Sequence, residues 1–82
     1  MAEYKDKLGD TVDANRFQES KKPYPGGVRL DQKSGVFMTD TDEVKDFVLS
    51  NGQWLVDKNG VKSVVDSAKF DKDYSPVSMG VG

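Results

Sequence analysis

Residues 51–65 read Asn51-Gly52-Gln53-Trp54-Leu55-Val56-Asp57-Lys58-Asn59-Gly60-Val61-Lys62-Ser63-Val64-Val65, and this stretch decides the fold. Two runs rich in β-branched and aromatic residues flank the short turn Lys58-Asn59-Gly60. That is the pattern of a β-hairpin, because a tight turn needs positive φ and Asn and Gly reach it at least cost. Just downstream, Ser67 can cap a helix, Phe70 and Tyr74 fall on one helical face at i, i+4, and Pro76 ends the run. A hairpin followed by one short helix therefore predicts that Phe70 and Tyr74 pack on the sheet.

Working outward, Asn51-Gly52 is itself a strong hairpin signal, so residues 43–49 read as a strand pairing through it, although Val44, Phe47 and Val48 also fit a helical spacing. Residues 28–32 alternate, and Val36-Phe37-Met38 follows Lys33-Ser34-Gly35, which suggests another hairpin. Residues 11–18 read as a strand with Val12, Ala14 and Arg16 on one face and Thr11, Asp13, Asn15 and Phe17 on the other. Both faces are mixed, so the pattern does not say which is buried. Lys21-Lys22-Pro23-Tyr24-Pro25-Gly26-Gly27 is a loop, since its prolines remove donors and its glycines loosen the backbone. The expected fold is α+β and mostly β: a small antiparallel sheet or partial barrel of about five strands with one short C-terminal helix. Residues 11–77 form the single small domain, 1–10 a flexible N-terminal lead-in, and 78–82 a C-terminal tail.

Composition narrows the chemistry. A chain of 82 residues buries only about 60–65% of its unfolded surface, and 35% apolar against 32% charged residues implies a thin core. Self-association is expected on that ground, and a deep cleft inside one subunit is not. The sequence has no Cys and no His, which removes disulfides, thiolate nucleophiles and the side chain most used as a general base or transition-metal ligand near neutral pH. A net charge of −2, with no basic stripe, is unlike a DNA-binding surface. Apolar runs reach three residues, so neither a secretion signal nor a membrane span is read.

Gly52, Trp54, Leu55, Val56, Gly60, Val64, Val65, Phe70 and Tyr74 also occupy the places of a signature: a Gly-Asp-Trp/Tyr-Ile-Val strand, a Gly-containing turn, a Val-rich strand and a closing Phe-x-x-x-Tyr. In this the chain resembles a family of short phage-encoded proteins, with residues 11–77 covered and Pro25-Gly26-Gly27-Val28 similar to the family's Pro/Gly-Val entry. Two positions depart from the pattern: Asn51 stands where Pro is common and Gln53 where Asp is common. Some proteins of this family look like viral sponges, oligomers that bind cyclic nucleotide immune signals of the host and sequester them without cleavage. The resemblance thus implies a homo-oligomeric, non-enzymatic immune-evasion protein in the cytoplasm of the infected bacterial host. Its partner would be a cyclic nucleotide, with no cofactor, membrane or DNA involved. It carries no ligand-contact motif onto particular residues.

Chemistry supplies those candidates. A cyclic dinucleotide presents two phosphates and two flat bases, so a site needs Arg or Lys, backbone donors and an exposed ring. Arg16 and Arg29 are the two arginines, and both lie near the ends of segments that flank Tyr24-Pro25-Gly26-Gly27. Tyr24, between two prolines, reads either as a stacking platform or as a ring covering the edge of the core. Gly26 and Gly27 read either as phosphate-binding N–H groups or as a turn, and each arginine either as a phosphate ligand or as a solvated charge. Lys21-Lys22 reads as solvated loop. Trp54, Phe70 and Tyr74 read as core, and Asp40, Asp42 and Glu43 as a solvated turn whose spacing fits no EF-hand loop. Two other classes compete: an interaction module that inhibits a host protein through a sheet edge, and a nucleic-acid-binding barrel, which the acidic composition disfavours.

Overall fold

The structure is a computed structural model that describes residues 3–77. Along the chain lie β1 (Glu3–Lys5), β2 (Thr11–Arg16), β3 (Arg29–Asp31), β4 (Val36–Thr39), β5 (Phe47–Val48), β6 (Trp54–Lys58), β7 (Val61–Val65), α1 (Ser67–Asp73) and β8 (Ser75–Pro76). The strands form a five-stranded sheet in the order β7-β6-β2-β1-β8 and a three-stranded sheet in the order β3-β4-β5. Every pairing is antiparallel, and neither sheet closes into a barrel among the described residues. The molecule is elongated, 49 × 26 × 21 Å.

The β6–β7 hairpin forms as its sequence predicts. Lys58 pairs with Val61 around Asn59 at φ 53° and Gly60 at φ 86°, the two positive φ values that a two-residue type I′ turn requires. The register then sorts the side chains. Ala14 faces Val56, Tyr4 faces Val12 and Trp54 faces Val65, which gathers Val12, Ala14, Val56, Val65 and Phe70 into one buried cluster with Tyr4, Trp54 and Tyr74 packed on it. Phe70 stacks on Trp54 at 3.9 Å and on Tyr74 at 4.7 Å, and meets the edge of Tyr4 at 4.9 Å. The helix is seven residues long, too short to persist on its own propensity; the aromatic contacts on its buried face hold it.

Helix capping differs from expectation. Asp66, not Ser67, is the N-cap, and it makes no side-chain cap; its Oδ1 instead accepts the Gln53 Nε2–H at 2.8 Å. Gln53 Oε1 accepts the Ser50 N–H at 2.7 Å, so one side chain joins the turn before β6 to the start of α1.

The second cluster lies where the two sheets meet. Phe17 is fully buried just past the end of β2, its ring 5.2 Å from Phe37 and 5.8 Å from Tyr24; Thr39, ending β4, and Leu49, following β5, are buried as well. Its backbone is held as well: its N–H donates to Gln53 O and its carbonyl accepts from the Gly52 N–H, both at 2.8 Å. These two bonds explain why Asn51-Gly52 does not make the expected hairpin. Gly52 at φ 93° turns the chain, but the turn's flanks are already paired to Phe17. β5 stays on β4 while β6 pairs with β2, so the turn joins two sheets. Residues 43–46 are not part of β5, and Asp46 takes φ 55°.

Other boundaries also shift. Within residues 3–10, read as a lead-in, β1 pairs with both β2 and β8. Pro76 follows the helix as predicted but belongs to β8, opposite Tyr4. Among the described residues there are eight strands rather than about five, because several run to only two or three residues. Residues 78–82, read as a tail, lie outside the described residues.

Candidate functional site

Strand alternation sends Val12, Ala14, Val56 and Val65 to the helix side of the five-stranded sheet and leaves a mixed face, part charged and part apolar, on the other. Across it runs one register row: Glu3 opposite Asp13, Asp13 opposite Asp57, Asp57 opposite Lys62. The next row is Asn15, Leu55 and Val64. The Pro25-Gly26-Gly27 loop and the 39–41 segment at the end of β4 come over these rows and enclose a cleft of about 470 Å³. That volume falls among those of small-molecule sites.

Chemically the cleft is dominated by acceptors. Asp13, Asp40 and Asp57 line it against a single lysine, Lys62. Asp57 Oδ1 accepts the Gly60 N–H at 2.9 Å, and Asp40 Oδ1 is engaged by Arg29 and by the Asp46 N–H. Asp13 takes part in no ion pair or side-chain hydrogen bond among the described residues, although it is only partly exposed. Thr39, 4% exposed, reaches the cleft beside Gly27: a methyl group at Gly27 would sit 3.4 Å from Thr39 Oγ1. Gly27 also has φ 88°, a backbone conformation that favours glycine.

The residues expected from sequence are divided. Pro25, Gly26 and Gly27 line the cleft. Tyr24 does not: its ring packs on Phe37 at 5.0 Å and its hydroxyl donates to Glu19 O at 2.7 Å, the arrangement of a ring covering the core edge. Arg29 borders a different, shallower concavity with Leu30, Met38 and Asp46. There its guanidinium is gripped by Asp40 at 3.0 Å and by Asp46, and Asp40, then Asp46, push its already high pKa further up. Asp40 is held below the usual carboxylate range by the Asp46 N–H and by Arg29. Arg16 lies outside both hollows, its guanidinium about 3.5 Å from where a Cβ on Gly52 would stand. Sequence reasoning passed over Asp13, Asp57 and Thr39. The alternation of residues 11–18 did place Asp13 and Asn15 on one face, and that was the available signal; the register that sets Asp13 against Asp57 was not legible.

Comparison of the chain with protein-family models, with curated proteins and with solved structures finds no match. No helix among the described residues is long and apolar enough to cross a membrane, and no cluster of three or more metal-ligating side chains is found among them.

Proposed function

We propose that the protein acts by sequestration: it binds a cyclic nucleotide defence signal of the infected bacterium and holds it intact, working as a homo-oligomer in the host cytoplasm. The phage-family resemblance of residues 51–74 motivates the ligand class. The observation that supports binding at this site is the makeup of the cleft, where Asp13, Asp57 and Thr39 stand beside the apolar Leu55, Val64 and Pro25. Carboxylates and hydroxyls suit base N–H groups and ribose hydroxyls, as in other nucleotide sites. Such a lining repels phosphate. The nucleoside part enters the cleft, and the phosphates remain at its rim, where Lys62 is the lining cation. This differs from the arginine-centred site that the sequence suggested. Binding without turnover fits a chain with no His and no Cys. Leu30, Val48 and Val61, each about half exposed, are apolar surface that association of subunits would cover.

Calorimetry of the purified protein against a panel of cyclic di- and trinucleotides tests the proposal, with ligand recovered by heat denaturation and analysed for integrity. Tight binding and unchanged ligand are expected. Ligand recovered in altered form would overturn sequestration, and silence across the panel would overturn the nucleotide reading.

One observation favours a second reading, inhibition of a host protein by strand addition. The Phe37 carbonyl accepts from the Leu49 N–H, so the polar groups of Phe37 face β5 and those of Leu30 opposite it point to the open edge. Loss of host-protein capture in a Leu30→Pro variant that still binds nucleotide would favour this second role.

A further inference from the structure

Asp13 and Asp57 stand directly opposite each other on adjacent strands, roughly 4.5–5.5 Å apart at Cα. Like charges in that relation oppose sheet formation. Lys62 offsets Asp57 from the far side, but Glu3 is the other cross-strand neighbour of Asp13, so the row gives Asp13 carboxylates on both sides. Folding gains nothing evident from this arrangement. Within the same cleft Thr39, 4% exposed as a residue, places its Oγ1 at the Gly27 side.

We infer that Asp13 is the specificity residue of the cleft and reads a planar edge with two adjacent N–H donors, the edge that guanine presents through N1–H and its exocyclic amino group. This rests on the nucleotide reading above and deepens it. The two oxygens of one carboxylate match two parallel N–H groups. Adenine offers a donor beside an acceptor on the corresponding edge, so one carboxylate oxygen would face a lone pair. Hypoxanthine keeps N1–H and lacks the amino group. Thr39 Oγ1, at the Gly27 side, supplies a hydroxyl for the rest of the nucleoside, and Leu55 and Val64 supply an apolar floor. The same paired-donor edge occurs in a guanidinium group, which brings no sugar or phosphate.

The test is calorimetry of the full chain with cyclic dinucleotides that differ only in base, guanine, hypoxanthine or adenine, together with methylguanidine. The guanine ligand is expected to bind about 10- to 100-fold tighter than the hypoxanthine ligand, the range for one charge-assisted hydrogen bond, and the adenine ligand to be weaker still. Asp13→Asn, a nearly isosteric change that removes one charge from a row of carboxylates, should bring the three within about twofold of one another without lowering Tm. Thr39→Val should weaken all three alike. Equal binding of the three bases, or a guanine preference that survives Asp13→Asn, would overturn the inference while leaving the nucleotide reading in place. Methylguanidine binding as tightly as the guanine ligand would overturn the assignment to a nucleoside. No binding of any cyclic dinucleotide would overturn the nucleotide reading itself.

Discussion

The five-stranded sheet buries Val12, Ala14, Val56, Val65 and Phe70 beneath a helix, whereas the three-stranded sheet packs its Phe37 on Phe17, a fully buried ring that follows the other sheet's β2. The first region owns its core; the second borrows the centre of its own. Each also has a cation held by two aspartates. Lys58 Nζ lies 2.8 Å from Asp6 and 2.9 Å from Asp10, tying the end of β6 to the β1–β2 turn, and Arg29 ties β3 to Asp40 and Asp46. The contrast teaches that a small chain can build one region around its own apolar cluster and attach another to it through a single buried ring and a few polar ties.

The sharpest way to break this contrast is to remove one ring from each region. Phe70→Ala and Phe17→Ala should each cost about 3–5 kcal/mol in denaturant unfolding, as buried Phe truncations do. Amide exchange should separate them. Phe70→Ala should raise exchange mainly in β2, β6 and β7, while Phe17→Ala should raise it in β4 and β5 as strongly as in β2. Full protection of β4 and β5 in Phe17→Ala would show that the three-stranded sheet does not depend on that ring.

A smaller effect comes from pH, because the two clamps titrate differently. Hydrogen bonding to Asp6, then Asp10, raises the Lys58 pKa from 10.5 to about 12. A raised value means the clamp's contribution is complete below 10.5 and is lost as pH rises towards 12. Arginine keeps its charge throughout that range. Base should therefore loosen the β1–β2 turn alone, seen as exchange broadening of Leu8 and Gly9 with Asp46 unaffected. In acid both clamps weaken, since Lys58 lowers the Asp6 pKa and the Asp46 N–H and Arg29 lower that of Asp40. Depressed carboxylates contribute fully above their ordinary 3.8 and lose that contribution as pH falls below it. Equal broadening of both regions in base would erase the distinction.

The smallest effect is expected from Arg29→Gln. The pair is exposed on both sides, so Tm should fall slightly at low salt and match wild type at high salt. A large, salt-independent loss would mean that the 40–46 segment holds the three-stranded sheet more firmly than Phe17 does.

How far the sequence carried depends on whether a signal was local. Asn59-Gly60 specified its hairpin because a two-residue turn sets its own register, and Phe70 and Tyr74 announced their packing through helical spacing. Asn51-Gly52 carried an equally strong local signal and misled about its partner, since that choice was made by Phe17, 35 residues earlier in the chain. Asn51 and Gln53 carried no local signal of their contacts: Asn51 Oδ1 accepts the Glu19 N–H at 2.9 Å, and Gln53 bridges Ser50 and Asp66. The loop Pro25-Gly26-Gly27 was legible as a candidate site from its composition. The carboxylates facing it were not, because Asp13 and Asp57 are 44 residues apart and meet only through strand register.

The segment that closes over the cleft also touches β7: the Asp42 N–H donates to Lys62 O at 3.1 Å, and Asp42 Oδ1 accepts the Lys62 N–H at 3.2 Å. β7 is the outer strand of the five-stranded sheet, and its half-exposed Val61 and the following Lys62 would otherwise present an unpaired, partly apolar ribbon to other chains. By occupying the outward N–H and carbonyl of Lys62, a single aspartate denies a second molecule part of the template it would need to extend the sheet at β7, and so blunts this one edge against edge-to-edge aggregation.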